Sequence, residues 1–228
     1  MALIRRLRYL DGAAAASGAT VVIDVFRAFT TAAFALDAGA DRVVLAAGVD
    51  EARSLAHSIA GSLLAGEVDG ARPRGFDLGN SPAEVMQLGP LDGRTMVLRS
   101  SAGTRALLAA RVGGAESVLA GSLVVASATA GALAGKPDVT LVVSGWNGVE
   151  PAEEDEACAD LILLVLGGDR PNLAQVRSRA AEGDGARRVA SAAWADPDDL
   201  ELCLEIDRFD FFMPSVTDGD RVALIAKQ

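Results

Sequence analysis

The chain alternates between short apolar runs rich in β-branched residues and longer segments with apolar residues at helical spacing. Such runs are typical of strands buried on both faces of a parallel sheet, and the segments between them are typical of crossover helices. The predicted strands span 3–8, 20–24, 42–46, 63–65, 95–98, 117–120, 139–144 and 222–226; the predicted helices span 30–37, 50–62, 103–111, 124–134, 152–166, 173–181, 187–193 and 197–205. The pattern predicts an α/β fold with a layered, mostly parallel sheet and helices on both faces.

Two segments interrupt the alternation. Residues 11–18 are rich in Ala, Gly and Ser and are predicted as a turn region. Residues 66–90 contain five glycines and three prolines with little periodicity, and irregular segments of this length inside a compact domain are often functional. We expect one domain over residues 1–228, and the best candidate for an internal boundary lies at 167–171.

Composition excludes several classes of partner. Half of the residues are apolar and the net charge is −10, without a basic stretch that could follow a phosphate backbone, so we expect no nucleic-acid partner. The longest apolar run, 161–166, is much shorter than the ~20 residues of a membrane span, and residues 1–10 do not resemble a signal peptide. We expect a cytoplasmic, soluble protein with no membrane partner and two reduced cysteines, and the apolar fraction is compatible with a homodimer.

The segment 21–31, Val-Val-Ile-Asp-Val-Phe-Arg-Ala-Phe-Thr-Thr, places polar groups directly after a buried strand. A carboxylate has no packing reason to end such a strand. Asp24 is therefore predicted at the carboxyl end of the strand, where open α/β sheets bind ligands, with Arg27 in the following turn. The alternative for Asp24 is a capping role for the next helix.

Three more loops follow predicted strands, at 66–82, 99–105 and 145–155. A parallel sheet would gather all four loops at one edge. Their carboxylates suit a hard cation such as Mg²⁺, and their arginines suit a phosphate, sulfonate or carboxylate. The acids are Asp24, Glu67, Asp69, Asp77, Glu150, Glu153, Glu154 and Asp155, and the arginines are Arg27, Arg72, Arg74, Arg99 and Arg105.

Other common mechanisms lack their residues. The single histidine, His57, lies within a predicted helix away from these loops, so a Ser-His-Asp triad has no base. Neither Cys158 nor Cys203 begins a phosphate-binding loop, and no Walker loop or Gly-x-Gly-x-x-Gly motif is present. Metal-assisted chemistry or plain anion binding remains.

The order of short motifs resembles the 2-phosphosulfolactate phosphatase family from about residue 20 to 165, and weakly near 207–214. Gly-Phe-Asp-Leu-Gly-Asn-Ser-Pro at 75–82 is the specific motif; the others are Ile-Asp-Val-Phe-Arg-Ala at 23–28, Gly-Glu at 66–67, Gly-Thr-Arg-Ala at 103–106, Gly-Ser at 121–122 and Glu-Asp at 154–155. The resemblance implies a Mg²⁺-dependent enzyme that removes phosphate from a phosphorylated sulfolactate on the route to coenzyme M.

Residues and resemblance together give a predicted site. Its metal ligands are Asp24, Glu67 and Asp155; its catalytic residues are Asp24, Arg27, Asp77 and Glu154, the last two as a further ligand or a water-orienting group; its substrate-binding residues are Arg27, Asn80, Ser81, Gly103, Thr104 and Arg105. Helix capping explains Ser81 and Thr104 equally well by residue type, and the helix dipole alone favours acids at 153–155.

The chain also departs from the family pattern. Val68 stands where the family has arginine, Ala102 falls within a run that is usually Thr-Thr-Thr-Asn-Gly-Thr, and Val125 stands where asparagine is common. The primary hypothesis is a Mg²⁺-dependent phosphatase for a small anionic phosphorylated substrate. The alternatives are a catalytically silent relative that binds a small anionic metabolite and a metal-dependent hydrolase with another substrate.

Overall fold

The computed structural model describes residues 2–228, within which nine strands form one mixed sheet with ten α-helices around it. The strands are β1 (Leu3–Arg8), β2 (Ala19–Ile23), β3 (Arg42–Ala46), β4 (Leu63–Gly66), β5 (Thr95–Arg99), β6 (Ser117–Gly121), β7 (Asp138–Val143), β8 (Met213–Asp218) and β9 (Arg221–Leu224). The helices are α1 (Tyr9–Ala14), α2 (Ala28–Asp37), α3 (Val49–Ser58), α4 (Pro82–Leu88), α5 (Gly103–Gly113), α6 (Ala126–Leu133), α7 (Glu153–Leu166), α8 (Leu173–Glu182), α9 (Asp184–Ser191) and α10 (Asp199–Cys203). A 3₁₀ turn, Leu123–Val125, precedes α6.

The sheet contains two parallel groups, β1-β7-β2-β6 and β3-β5-β4. The antiparallel pair β8–β9 joins them, because β8 also pairs antiparallel with β6 and β9 pairs antiparallel with β3. Strand direction changes at each of the three antiparallel pairings, β6–β8, β8–β9 and β9–β3, so the strands of the second group run opposite to those of the first. A flat sheet would therefore place the carboxyl ends of the two groups at opposite edges.

Consecutive residues of β2 enter different hydrophobic cores, as expected for a strand that is buried on both faces. Val22 packs in a central core with Phe29 of α2, Leu107 of α5 and Leu98 of β5. Helix α5 contacts β2 and β6 of the first group and β3 of the second, so it lies between the groups.

The outer faces have separate cores. Val21 and Ile23 pack under α6 and α7, and Val44 of β3 packs with Ala52 of α3. The layered, mostly parallel α/β architecture is confirmed. No helix within residues 2–228 combines the length and apolarity that a membrane span needs.

Four local predictions are wrong, each for a physical reason. The first part of the predicted turn region 11–18 belongs to helix α1, because the helix is stabilised by packing on α5. Residues 82–88 form α4 inside the irregular segment. Strand β8 was not predicted, since its sequence contains Pro214 and polar residues that obscure the strand pattern. The residue types at the start of α3 favour Asp50 as its N-cap, but the N-cap is Gly48.

Candidate active site

The loops after β2, β4, β5 and β7 line one pocket, which encloses about 460 Å³ of empty space including its open mouth. Two of these strands belong to each parallel group, so loops from the carboxyl ends of both groups meet at this pocket although the groups run in opposite directions. The predicted gathering of loops therefore occurs, although not at one edge of a single parallel sheet. The pocket is lined by Asp24, Phe26, Arg27, Glu67, Gly70, Asn80, Ser100, Ser101, Ala102, Gly145, Trp146, Asn147, Glu154, Asp155 and Trp194.

Asp24 joins the two halves of the pocket. Its Oδ1 accepts a hydrogen bond from the first amide of α2, Ala28 N, at 3.1 Å, and its Oδ2 accepts one from Gly103 N at 2.8 Å. The carboxylate is only 5% exposed. Asp24 thus bonds to the start of α2, as the capping alternative expects, and at the same time faces the pocket.

Glu67 fixes the loops that follow β4 and β5. Its Oε2 accepts hydrogen bonds from Gly70 N at 2.7 Å and Ser101 Oγ at 3.1 Å, and its Oε1 accepts one from Ser101 N. These contacts hold a buried carboxylate against the pocket wall.

Asp155 and Glu154 begin α7 and differ in their surroundings. Asp155 accepts hydrogen bonds from Val25 N at 2.8 Å, Gly145 N at 3.0 Å and Ser144 Oγ at 3.2 Å. Glu154 is 2% exposed, and its Oε2 has no hydrogen-bond partner within residues 2–228. A buried carboxylate oxygen without a partner is costly, which is typical of an atom that contacts a ligand.

The pKa values reflect this crowding of buried acids. Burial raises the pKa of Asp24 to about 6 and that of Glu154 to about 7, and it raises the pKa of Asp155 well above the usual range. Repulsion from Asp24 contributes to the raised pKa of both Glu154 and Asp155, and repulsion from Glu67 contributes to that of Asp24. Asp24 is thus coupled to Glu67 and to the acids of α7, in a pocket that favours protons or a cation.

Among the described residues, Arg27 is the one arginine that lines the pocket. Its Nη1 donates to Asp199 Oδ2 at 2.7 Å and its Nη2 donates to Gly70 O at 2.9 Å. The guanidinium also lies 4.5 Å from the ring centroid of Trp194. Because Asp199 balances its charge, Arg27 leaves the carboxylates of the pocket with excess negative charge.

The remaining predicted residues divide between the pocket and its support. Asn80 lines the pocket, is 4% exposed, and has an Oδ1 with no partner within residues 2–228. Ser81 instead caps α4 by accepting from Glu84 N at 3.0 Å. Thr104 closes the first turn of α5 through hydrogen bonds with Ser100.

Asp77 and Arg105 lie outside the pocket lining. Asp77 is exposed and its Oδ2 accepts from Leu64 N at 2.8 Å, so it fixes the loop after β4. Arg105 is exposed on α5 and reaches Ser101 O at 3.4 Å. Gly103 acts through its amide, which donates to Asp24 instead of to an anion.

Sequence reasoning missed Trp146, Trp194 and Asp199. Trp146 lies in the predicted loop 145–155, and the signal available for it was a large aromatic residue within a site loop. Trp194 and Asp199 lie far along the chain in a segment without a motif, and Asp199 is fully buried although the nearby acids Asp198 and Glu201 are exposed.

The donor set bears on the predicted metal. Within residues 2–228, no three His, Cys, Asp or Glu side chains are grouped tightly enough to enclose a metal ion. Mg²⁺, however, usually keeps several waters and uses one or two carboxylates together with substrate phosphate. The unpartnered oxygens of Glu154 and Asn80, in the same pocket as the carboxylate of Asp24, fit that mode of binding.

Without metal, we expect the contribution of these acids to stability to decrease as pH rises from about 4 to about 7. The folded pKa values of Asp24 and Glu154 exceed the ordinary values of 3.8 and 4.5. The folded state therefore holds protons that the unfolded state releases in this range. Glu154→Gln, which removes one buried charge, should raise the free energy of unfolding at pH 8 by about 3 kcal/mol and Tm by about 5 °C or more.

The measurement is thermal unfolding at pH 5 and pH 8 with excess chelator. Glu116→Gln is the matched control, because it removes an exposed carboxylate and changes the net charge equally. A gain at pH 8 that is absent at pH 5 and in the control is expected, whereas an equal effect of both variants would contradict the buried-charge explanation.

The amino-acid sequence matches the family described as 2-phosphosulpholactate phosphatase over residues 9–207. Similar curated proteins are named probable 2-phosphosulfolactate phosphatase. The protein of Carboxydothermus hydrogenoformans is 42% identical over 149 residues, which cover 65% of this chain and 60% of the relative. The protein of Thermotoga petrophila is 39% identical over 211 residues, which cover 87% of this chain and 89% of the relative. The protein of Thermotoga maritima is 30% identical over 211 residues, with the same shares of both chains covered.

Proposed function

Because the chain belongs to the 2-phosphosulfolactate phosphatase family, we propose that it is a Mg²⁺-dependent phosphatase for a small acidic phosphomonoester of the 2-phosphosulfolactate class. Such an activity would have a place on the route to coenzyme M. The observation that carries the proposal is the convergence of four buried carboxylates, with an arginine that is already paired, in one pocket. The four are Asp24, Glu67, Glu154 and Asp155.

The excess of negative charge is the reason for including a cation. A phosphomonoester is itself anionic, and repulsion between charges that are removed from water is strong. Arg27 cannot compensate four carboxylates while it is paired with Asp199. A divalent cation would make the pocket attractive to phosphate, and the pocket carboxylates would in turn be stabilised as anions.

The pocket residues would then have different roles in binding the cation, the attacking water and the substrate. Carboxylate oxygens have two lone pairs each, so Asp24, Glu67 and Asp155 can contact the cation while they accept backbone hydrogen bonds, and Asn80 Oδ1 adds a neutral oxygen. When bound, Mg²⁺ would neutralise charge on the transferring phosphoryl group and lower the pKa of water. The unpartnered Glu154 Oε2 can orient the attacking water and accept its proton. Arg27 would hold an anionic group of the substrate.

The first test is phosphate release from racemic 2-phospho-3-sulfolactate with Mg²⁺ and then with excess chelator. We expect release that the chelator abolishes and that added Mg²⁺ restores. A panel of other phosphomonoesters, with and without a second acid group, should give slower release. Faster release from another ester would identify a metal-dependent hydrolase with a different substrate.

The silent-binder alternative depends on the three departures from the family pattern, and these lie in different surroundings. Ala102 lines the pocket, Val125 is buried in the central core, and Val68 is exposed outside the pocket lining. Only Ala102 can therefore remove a contact to substrate directly. A silent binder would show an increase of Tm with the phosphorylated substrate and no phosphate release, because a ligand that binds only the folded state stabilises it by mass action.

A further inference from the structure

The guanidinium of Arg27 is held by residues from a distant part of the chain. Arg27 follows β2, whereas its ion-pair partner, Asp199, is the first residue of α10, and Trp194 lies in the turn between α9 and α10. Arg27 is 3% exposed and Asp199 is fully buried. The contacts fix the direction of a cation that would otherwise have several rotamers.

Asp199 is itself held in place by more than the arginine. Its Oδ1 accepts hydrogen bonds from Ser81 Oγ at 2.5 Å and Ala83 N at 3.2 Å. Its Oδ2 accepts from Asp196 N at 3.2 Å in addition to Arg27 Nη1. Each carboxylate oxygen thus has two donors, which come from the residue before α2, the start of α4 and the turn before α10.

Trp194 covers the guanidinium and continues into the pocket wall. Its ring centroid lies 6.5 Å from that of Trp146. The guanidinium of Arg188, a residue of α9, lies 4.8 Å from the ring centroid of Trp146. The backbone of Gly70 packs directly against the indole of Trp194, because a Cβ added at Gly70 would lie 2.5 Å from the ring. The indole therefore packs against both the Arg27 guanidinium and the loop after β4.

We propose that Asp199 and Trp194 are positioning residues that fix Arg27 so that its free N–H groups bind an anionic group of the substrate. This inference rests on the proposed function. A guanidinium has five N–H donors in a rigid fork, and two of its nitrogens are anchored to Asp199 Oδ2 and Gly70 O, which leaves other donors for a ligand in the pocket. Because Arg27 would bind the substrate before and during the reaction, loosening it should raise KM more than it lowers kcat.

The test compares Asp199→Asn with Asp198→Asn, an adjacent exposed aspartate that gives the same change of charge. We expect Asp199→Asn to raise KM for 2-phospho-3-sulfolactate roughly 10-fold or more with kcat within about 3-fold, and Asp198→Asn to change neither beyond about 2-fold. Trp194→Phe is the second variant, should Asp199→Asn fail to fold, and it should raise KM roughly 3-fold because it weakens the stacking contact.

Fluorescence gives a readout that does not depend on turnover. The chain has two tryptophans and both line the pocket, so their emission should change when racemic 3-sulfolactate is added with Mg²⁺. Asp199→Asn should also weaken this binding. Wild-type values of KM and of binding in folded Asp199→Asn and Trp194→Phe would overturn the inference.

The two failures are distinguishable. A wild-type protein that binds 3-sulfolactate but releases no phosphate would refute the proposed phosphatase, while the binding titration would still decide the role of Asp199. A wild-type protein that binds neither substrate nor product would overturn both.

Discussion

Replacing Asp24 by asparagine is expected to lower kcat/KM for Mg²⁺-dependent phosphate release by roughly 10³-fold or more, a loss of about 4 kcal/mol of transition-state stabilisation. Asp24 is coupled electrostatically to Glu67 and to the acids that begin α7, so its charge is central to any cation that they share. Mg²⁺ affinity, measured by titration calorimetry, should decrease in parallel.

The folded state should survive this substitution. Asparagine keeps one acceptor oxygen, which can serve the amide of either Ala28 or Gly103, and the hydrogen bond to the other amide that it loses is offset by removal of a buried charge. Asp220→Asn is the control, because Asp220 is 96% exposed and loses the same charge. Full Mg²⁺-dependent turnover by Asp24→Asn, with the control unchanged, would contradict the assignment of Asp24.

Local sequence patterns predicted most strands of the fold because buried parallel strands are continuous apolar runs. Strands β1 and β3 were predicted at their observed bounds, 3–8 and 42–46. Strand β8 was not, because pairing with both neighbours stabilises a sequence that has little strand character of its own. The junction between the two parallel groups consists of this pair and therefore could not be predicted either.

The residues of the candidate site could be predicted where a side chain suited to binding a ligand stands at the end of a strand or the start of a helix. Asp24, Glu67 and Asp155 each lie at a strand end or a helix start, and each lines the pocket. Ser81 has the same residue type and position as a ligand-binding residue would, but it forms a local cap. Whether a polar side chain turns to the backbone or to a pocket depends on tertiary packing, which also brings Asp199 to Arg27 across 172 positions of sequence.

The second large effect is expected at Gly103, which contributes no side chain to the pocket. Its amide donates to Asp24 Oδ2, and a Cβ added there would approach that oxygen and lie 2.7 Å from Asp24 Cβ and 2.9 Å from Cγ. Gly103→Ala must therefore displace the carboxylate or the start of α5. We expect kcat/KM to fall roughly 100-fold and the free energy of unfolding to fall by about 1–3 kcal/mol, as for other overpacked sites.

Gly131→Ala is the matched control for this substitution. Gly131 lies within α6 with no atom within 4 Å of an added Cβ, so alanine should leave activity unchanged and stabilise the protein by about 1 kcal/mol.

The double variant Gly103→Ala with Asp24→Asn then tests the cause, because changes that act through one group are not additive. If Gly103→Ala acts through the Asp24 carboxylate, it should lower the residual activity of Asp24→Asn by less than about 3-fold. A full 100-fold loss in both backgrounds would instead show that the new methyl group disrupts the pocket independently of Asp24.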